Sequence, residues 1–180
     1  GLQLQLVVYM DAAMEMLRGQ HPKKEILPGG ILYYHIDDPV LESDTPLSDE
    51  EAEQALLFAL RPDGLVNSGE EIYRAMDQNF EGKSQMIPVE IKKNGEISAA
   101  RSKVASTEEF AVITRYVEHE IRQCGEAIYA GNIAVNPYRS DIETSCTYCP
   151  YGSVCGMDAK IPGYEYRQFA SMKKEEVLDQ

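Results

Sequence analysis

The chain has 180 residues, 43% of them hydrophobic, and its 30 acidic residues outnumber its 17 basic ones, giving a net charge of −13. Length and composition predict one soluble globular domain with a sizeable core, and the acidic balance excludes a protein whose whole surface clamps nucleic acid. No apolar run approaches the roughly 18 residues of a membrane helix, and the first residues lack a signal-peptide pattern, so we expect a cytoplasmic location and no membrane partner.

Residues 2–18 predict a helix of unusual composition. Its apolar residues cover nearly the whole circumference: Leu2, Leu4, Leu6, Val7, Val8, Met10, Ala13, Met14 and Leu17. A helix that is apolar all round is expected to be buried, and Gly19 is predicted to end it. Gln5 and Tyr9 are polar exceptions four residues apart, so they share one face. Because the chain starts inside this predicted core helix without a cap, we expect it to be part of a longer polypeptide.

The next segment predicts one strand and two capped helices. Residues 31–36 are rich in the aromatic and β-branched residues typical of a strand. The Ser-x-x-Glu pattern at 48–51 is a capping box that predicts a helix through about Leu60. Residues 61–64 predict a turn, and a second Ser-x-x-Glu pattern at 68–71 predicts the start of a shorter helix.

A β-hairpin and a long helix follow. Residues 87–93 and 96–98 are predicted to pair across the Asn-Gly turn at 94–95, with a bulge as an alternative to a strict two-residue loop. A third capping box at 106–109 predicts a helix that ends near Gly131. Its apolar stripe, which predicts packing on the core, consists of Phe110, Ile113, Val117, Ile121, Cys124 and Ile128. On this stripe Cys124 is interpreted as a small core residue rather than a metal ligand.

The hairpin also carries an acidic pattern with two interpretations. Glu90 and Lys92 lie on the same face of a predicted strand, and Asp77 precedes them. Two-metal nucleases use Asp…Glu-x-Lys, in which carboxylates hold Mg²⁺ and the lysine supports the attacking water. A solvated outer strand shows the same residues, and this is the interpretation that we favour.

Three cysteines lie close together near the C-terminus: Cys146, Cys149 and Cys155. The Cys-x-x-Cys pair lets two thiolates face one metal across a tight turn, and nearby proline and glycine residues bring the third back. Soft thiolates at this spacing suit zinc or an iron–sulfur cluster, although either centre normally takes four protein ligands.

The chain shows no glycine-rich phosphate loop, and none of its three histidines lies at metal-ligand spacing. The elements together predict a mixed α/β fold with more helix than strand.

Two motifs resemble a known family. Gln5-Leu-Val-Val-Tyr9 resembles the Gln-x-x-x-Tyr motif that follows the catalytic Asp/Glu-x-Lys strand in RecB-like nucleases of the PD-(D/E)xK superfamily. The pattern of Cys146, Cys149 and Cys155 resembles the C-terminal part of the iron–sulfur site in a subset of them. The order and long spacing of the motifs are most similar to AddB-type subunits of AddAB helicase–nucleases. Similar stretches also lie at 33–39, 94–95, 131–138 and in the tail.

The resemblance implies that residues 1–180 form the C-terminal half of a restriction-endonuclease-like nuclease domain, with the cysteine knuckle at 144–156 and a tail at 157–180. It implies that Gln5 and Tyr9 line the nuclease site and help to place metal-bound DNA. The carboxylates and lysine that hold Mg²⁺ precede the Gln-x-x-x-Tyr helix in the family and have no counterpart here, so the chain alone is expected to be inactive.

The resemblance further implies a cofactor and a partner. Cys146, Cys149 and Cys155 would be three ligands of a 4Fe–4S cluster whose first cysteine lies upstream, and the cluster would pin the tail in a structural, DNA-end-holding role. The parent protein would process double-strand DNA ends with ATP for recombinational repair, in a heterodimer with an AddA-type helicase–nuclease subunit.

Alternatives stay open at this point. A stand-alone iron–sulfur nuclease of the CRISPR-adaptation type has the same two motifs but a shorter spacer. A zinc-knuckle interaction module without catalytic parentage would also use the cysteines. Gln5 and Tyr9 could instead be a hydrogen-bonding pair on one face of a helix in an apolar core.

Overall fold

The computed structural model describes residues 4–36, 39–41, 43, 45–78, 80–140 and 143–169. The chain divides into two compact units, Gly1–His119 and Glu120–Gln180. The described helices and strands, in chain order, are α1 Gln5–Gln20, β1 Gly30–Tyr33, α2 Asp49–Ala59, β2 Asp63–Asn67, α3 Glu70–Met76, β3 Val104–Ala105, α4 Thr107–Tyr129, β4 Tyr138–Arg139, α5 Gly152–Cys155 and β5 Arg167–Gln168. This confirms the prediction of a mixed α/β fold with more helix than strand. Among the described residues, no helix has the length and apolar composition needed to cross a membrane.

Helix α1 forms where predicted but is not buried. It runs through Gly19 to Gln20, so the predicted end at Gly19 is wrong. Val7 is its only buried residue among those described, whereas Tyr9 and Met16 are more than half exposed, so the expected all-round burial is also wrong. The physical reason is the size of the main partner: α1 packs chiefly on the four-residue strand β1, which cannot cover a helix of four turns. The predicted first residues of the helix lie outside the described residues.

A three-stranded sheet in the order β1-β2-β3 organises the first unit. β1 pairs antiparallel with β2, and β2 pairs parallel with β3. The predicted strand 31–36 is confirmed only as far as Tyr33. The predicted turn at 61–64 is wrong in its second half, because Asp63 and Gly64 already lie in β2, and Gly64 stands opposite Leu32. This central strand was missed because its proline- and glycine-containing start is typical of turns.

The core of the first unit lies against this sheet. Its buried residues are Val66, Tyr73, Phe80, Ile87, Val89 and Ile91, with Leu32, Ile97 and Val104 packed around them. Tyr73 and Phe80 meet edge to face with ring centroids 6.2 Å apart. All of these except Leu32, Val66 and Val104 lie in the segment that connects β2 to β3, so this connection supplies most of the core.

The Asn-Gly turn forms, with one more residue than a strict two-residue loop. Ile91 bridges Ile97, and the Lys92 N–H donates to the Glu96 carbonyl at 2.8 Å, which leaves residues 93–95 as the loop. Gly95 takes the left-handed conformation that this loop requires, at φ 86°. The bulge alternative is therefore confirmed, and both isoleucines face the core. Regular strands at 87–93 and 96–98 are not formed, because the described pairing here consists of isolated bridges.

Two of the three predicted helix caps are confirmed. Ser48 and Glu51 form a reciprocal capping box, and these hydrogen bonds from the Ser48 backbone and side chain lower the pKa of Glu51. Ser106 and Glu109 form a second reciprocal capping box at the start of α4, with the Ser106 N–H donating to the Glu109 carboxylate at 2.7 Å. These caps are predictable because each depends only on residues three apart.

The third predicted cap, at Ser68, does not form. Ser68 does not cap α3; the helix begins after Gly69, whose N–H donates to Asn67 Oδ1 at 2.8 Å. The buried Asn67 amide also donates to the Pro28 carbonyl at 2.8 Å and to Thr107 Oγ1 at 3.0 Å. One side chain thus joins the end of β2 to the segment before β1 and to the starts of α3 and α4.

Helix α4 confirms its predicted length but only part of its predicted packing. It ends at Tyr129, and Gly131 follows with the positive φ of a helix C-terminus. Phe110 and Val117 are buried, whereas Ile128 is 78% exposed and Cys124 is exposed. The interpretation of Cys124 as a core residue is therefore wrong. Apolar residues continue at the same helical spacing after Val117, but among the described residues no buried core packs against this C-terminal part of α4.

Candidate functional site

Gln5 and Tyr9 lie on an exposed face of the first turns of α1. The Gln5 amide donates to the Tyr9 hydroxyl at 2.6 Å, so the predicted pair is brought together by the i, i+4 spacing. Val7, on the opposite side, is buried and anchors this end of the helix. This hydrogen bond uses neither the Gln5 side-chain oxygen nor the hydrogen of the Tyr9 hydroxyl, so the pair can both accept from and donate to a polar ligand.

Tyr9 also borders an apolar groove of about 390 Å³ between α1 and the segment that leads into β1. The groove is lined on the helix side by Leu6, Met10 and Leu17. This setting differs from the buried hydrogen-bonding pair that the alternative interpretation required, because both side chains are exposed.

The acidic pattern of the hairpin is engaged in local contacts. Glu90 Oε1 lies 2.9 Å from Arg101 Nη1, Lys92 lies 3.9 Å from Glu96, and Asp77 Oδ2 accepts from Ser84 Oγ at 2.7 Å. Among the residues that the structure describes, no three His, Cys, Asp or Glu side chains form a group that could hold a metal ion. Glu90 and Lys92 thus have the contacts of local ion pairs around the Asn-Gly loop.

In the second unit, β4 holds the cysteine knuckle in place. Arg139 bridges Thr144, and the Ser145 N–H donates to the Tyr138 carbonyl at 3.1 Å, so the chain just before Cys146 is fixed against β4. Thr144 Oγ1 accepts from the Cys146 N–H at 3.3 Å. The Cys149 N–H then donates to the Cys146 carbonyl at 3.3 Å, which closes the turn between the two cysteines.

The third cysteine lies at the end of the one-turn helix α5. The Cys155 N–H donates to the Tyr151 carbonyl at 2.8 Å, and Gly156 ends the turn in the left-handed conformation. Cys146 and Cys149 are exposed and Cys155 is half-buried, and all three are free thiols. Their chemistry suits a soft metal or an iron–sulfur cluster, but the three sulfurs do not form a metal-holding group in this arrangement.

The tail packs back onto the same strand from the other side. β5 pairs with β4, Phe169 meets Tyr138 edge to face at 5.5 Å, and Arg139 lies 4.2 Å over the Tyr166 ring. A hydrogen bond with Cys146, assisted by burial, raises the pKa of Tyr166. The sequence predicts that the tail aromatics Tyr164, Tyr166 and Phe169 pack back. It does not predict the contact of Tyr166 with Cys146, because nothing in the spacing of these residues signals it. The sequence also predicts a short helix after Ser171, which lies outside the described residues.

Comparison with known proteins places these features in a family. Residues 1–156 match the model of the PD-(D/E)XK nuclease superfamily. A protein from Thermoanaerobacter sp., named as one of the subunits of an ATP-dependent helicase/deoxyribonuclease, is 39% identical over 177 residues, covering 98% of this chain and 15% of the relative. Proteins of the same name from Lachnoclostridium phytofermentans and Clostridium botulinum are also 39% identical, over 186 and 179 residues, covering 98% and 99% of this chain and 16% of each relative. The chain therefore spans about a sixth of the length of these relatives.

Proposed function

This chain belongs to the PD-(D/E)XK nuclease superfamily, and we propose that it is part of the nuclease domain of an AddB-type subunit. The match of residues 1–156 to the family, together with relatives that align along 98% of the chain, carries this proposal. The parent protein would use ATP to process double-strand DNA ends for recombinational repair. Since the relatives are named as one subunit of a larger enzyme, a partner protein is part of the proposal, and an AddA-type helicase–nuclease in the cytoplasm is the partner that we favour.

Gln5 and Tyr9 are proposed to line the nuclease site and to place the metal-bound DNA. Their exposure and their mutual hydrogen bond support this role, because a fixed amide–phenol pair can hold a phosphate oxygen or a metal-bound water at a defined position. The Mg²⁺ ions of the complete site would be held by carboxylates that, as the resemblance implies, precede α1 in the parent polypeptide.

The 180-residue chain alone is therefore expected to show no Mg²⁺-dependent DNA cleavage. The reason is that Glu90, Lys92 and Asp77 are engaged with neighbours and form no metal-holding group. The measurement is release of acid-soluble nucleotides from labelled duplex DNA with Mg²⁺ and with EDTA. Cleavage that Glu90→Ala abolishes would contradict the proposal and assign the active site to the hairpin.

Cys146, Cys149 and Cys155 are proposed as three thiolate ligands of a 4Fe–4S cluster, with the fourth cysteine elsewhere in the parent polypeptide. Two observations support the assignment: the three thiols are free, and β4 fixes the chain just before Cys146. Because the sulfurs are not gathered, cluster binding requires the 146–156 segment to close around it. The cluster would then tie the tail to the upstream part of the domain.

The cluster is tested by anaerobic purification of the parent protein, followed by iron and sulfide analysis and an absorbance spectrum. We expect about four iron atoms per molecule, and Cys146→Ser should remove most of the iron together with the absorbance. Cys124→Ser is the matched control, since that exposed thiol lies on α4 outside the knuckle, and it should keep the iron. Stoichiometric zinc in place of iron would instead support a zinc-knuckle interaction module.

A further inference from the structure

A concave surface on the first unit has no role in the proposed nuclease site. It is a cleft of about 580 Å³ beside the Asn-Gly loop. We call it the basic cleft and define it by Arg74, Glu81, Gly82, Lys92, Lys93 and Gly95. Three cations and one acid line it, whereas acids predominate in the chain as a whole.

The segment that begins at Gly82, on the edge of the basic cleft, is basic, unlike the chain as a whole. Residues 82–103 contain five basic and two acidic side chains, although the whole chain has 17 basic and 30 acidic ones. Two of these basic side chains are closely paired: Arg101 lies 2.9 Å from Glu90, and Lys103 lies 2.7 Å from Asp63 and lowers the pKa of that carboxyl. Of the other three basic side chains, Lys92 and Lys93 line the cleft, whereas Lys83 lies 3.8 Å from the centroid of the Phe58 ring.

The cations of the basic cleft are positioned but only weakly neutralised. Arg74 Nη1 donates to the Phe80 carbonyl at 3.0 Å, and its guanidinium lies 5.1 Å from the Phe80 ring centroid, so its direction is fixed. Its contact with Glu70 and that of Lys92 with Glu96 are both 3.9 Å long, and both acids are about 70% exposed. Exposed pairs of this kind contribute little, so a stronger anion can replace them.

The backbone of the basic cleft is open to a ligand. Gly82 and Gly95 both have positive φ, and a Cβ built on either would meet no atom within 4 Å. A ligand can therefore approach the main chain closely at two points. Phe80 is buried, so the aromatic ring lends rigidity to Arg74 and is not a platform for stacking a base.

We infer that the basic cleft binds the phosphate backbone of single-stranded DNA, an inference that rests on the proposed nuclease function. Lysine and arginine side chains at an open backbone recognise phosphates without reading bases. A single strand fits better than a duplex, because it carries half the charge per unit length and is repelled less by the acidic remainder of the protein. The cleft would hold the strand as a positioning surface, with Arg74, Lys92 and Lys93 as the phosphate contacts.

The test is fluorescence anisotropy of the chain with a labelled oligothymidine of about 20 nucleotides, over about 50 to 200 mM salt. Lys92→Gln/Lys93→Gln should weaken binding about 10-fold at the lowest salt and reduce the slope of log affinity against log salt by about 1.4. Glu81→Gln should strengthen binding about two-fold, because it removes the one acid of the cleft. The control Lys23→Gln/Lys24→Gln removes the same charge from another segment and should change the affinity by less than about two-fold.

Three results would overturn the inference. The first is an equal loss of affinity in the Lys23/Lys24 control and in the Lys92/Lys93 variant. The second is that the unmodified chain does not bind the oligothymidine. The third is that polyglutamate competes for binding as effectively as unlabelled DNA. The iron analysis of the parent protein does not depend on these lysines. A parent protein that contains iron, together with a cleft variant of the chain that binds the oligothymidine as tightly as the unmodified chain, would therefore refute this inference and leave the proposed function in place.

Discussion

Replacing Gly64 by alanine is expected to destabilise the first unit by about 3–5 kcal/mol, a large part of the stability of a typical small domain. Gly64 has φ 148°, a conformation that residues with a side chain rarely adopt. A Cβ at this position would also overlap the Ile31 carbonyl oxygen and approach Leu32 Cα to 2.9 Å. Both obstacles are backbone atoms of the paired strand β1, so they cannot move without breaking the β1–β2 ladder.

The effect of Gly64→Ala is measured as the urea midpoint followed by circular dichroism. Gly125→Ala is the matched control, because it lies in α4 and its new Cβ would meet nothing within 4 Å. It should be neutral or stabilise the protein by about 0.5–1 kcal/mol, since alanine is the better helix former. Equal midpoints for Gly64→Ala and the unmodified protein would show that Gly64 does not face Leu32.

Removal of the Asn67 amide is the second large perturbation. Asn67→Ala should cost about 2–4 kcal/mol, because it leaves the buried Pro28 carbonyl and the Gly69 N–H without their partner and removes the bond to Thr107. Asn67 is 1% exposed, so water cannot readily replace these bonds. The measurement is again the urea midpoint.

Two further variants separate the bonds of Asn67 from the simple loss of an asparagine. Asn67→Asp keeps the acceptor for Gly69 but places a carboxylate against the Pro28 carbonyl, so near neutral pH we expect it to be no more stable than Asn67→Ala. Asn94→Ala removes an exposed turn amide that bonds only Glu96 side-chain and backbone atoms, and should cost less than about 1 kcal/mol. If Asn67→Ala lowers the free energy of unfolding no more than Asn94→Ala does, the inference that the Asn67 side chain joins β2 to the starts of α3 and α4 is refuted.

The sequence predicts those features of the fold that depend on a few neighbouring residues. The capping boxes at Ser48 and Ser106 are reciprocal bonds between residues three apart, and the Asn94-Gly95 turn needs only its own glycine. The pairing of Gln5 with Tyr9 is equally local, since four residues span one helical turn. The positions of these groups could therefore be read before the fold was known.

Features that depend on distant partners were not predictable in the same way. Burial of α1 depends on what packs around it, and an apolar circumference does not show that β1 is its main neighbour. The start of β2 looks like a turn until Gly64 is seen opposite Leu32. Helix α3 begins after Gly69, whose N–H donates to Asn67 and not to the predicted serine. In the candidate site, the interaction of Cys146 with Tyr166 that raises the tyrosine pKa joins residues that are far apart in the chain and are brought together by β4.

The parallel pairing of β2 with β3 has a consequence for how the first unit folds. The chain leaves β2 at Asn67 and returns at Val104, and five of the six residues of the buried core lie on this excursion. The entropy of closing such a long loop must be offset by contacts that form inside it, so completing the sheet and burying the core are one cooperative event. Partial unfolding that frees β3 should therefore expose the core at the same time, and hydrogen exchange in β2 should report the global opening of this unit.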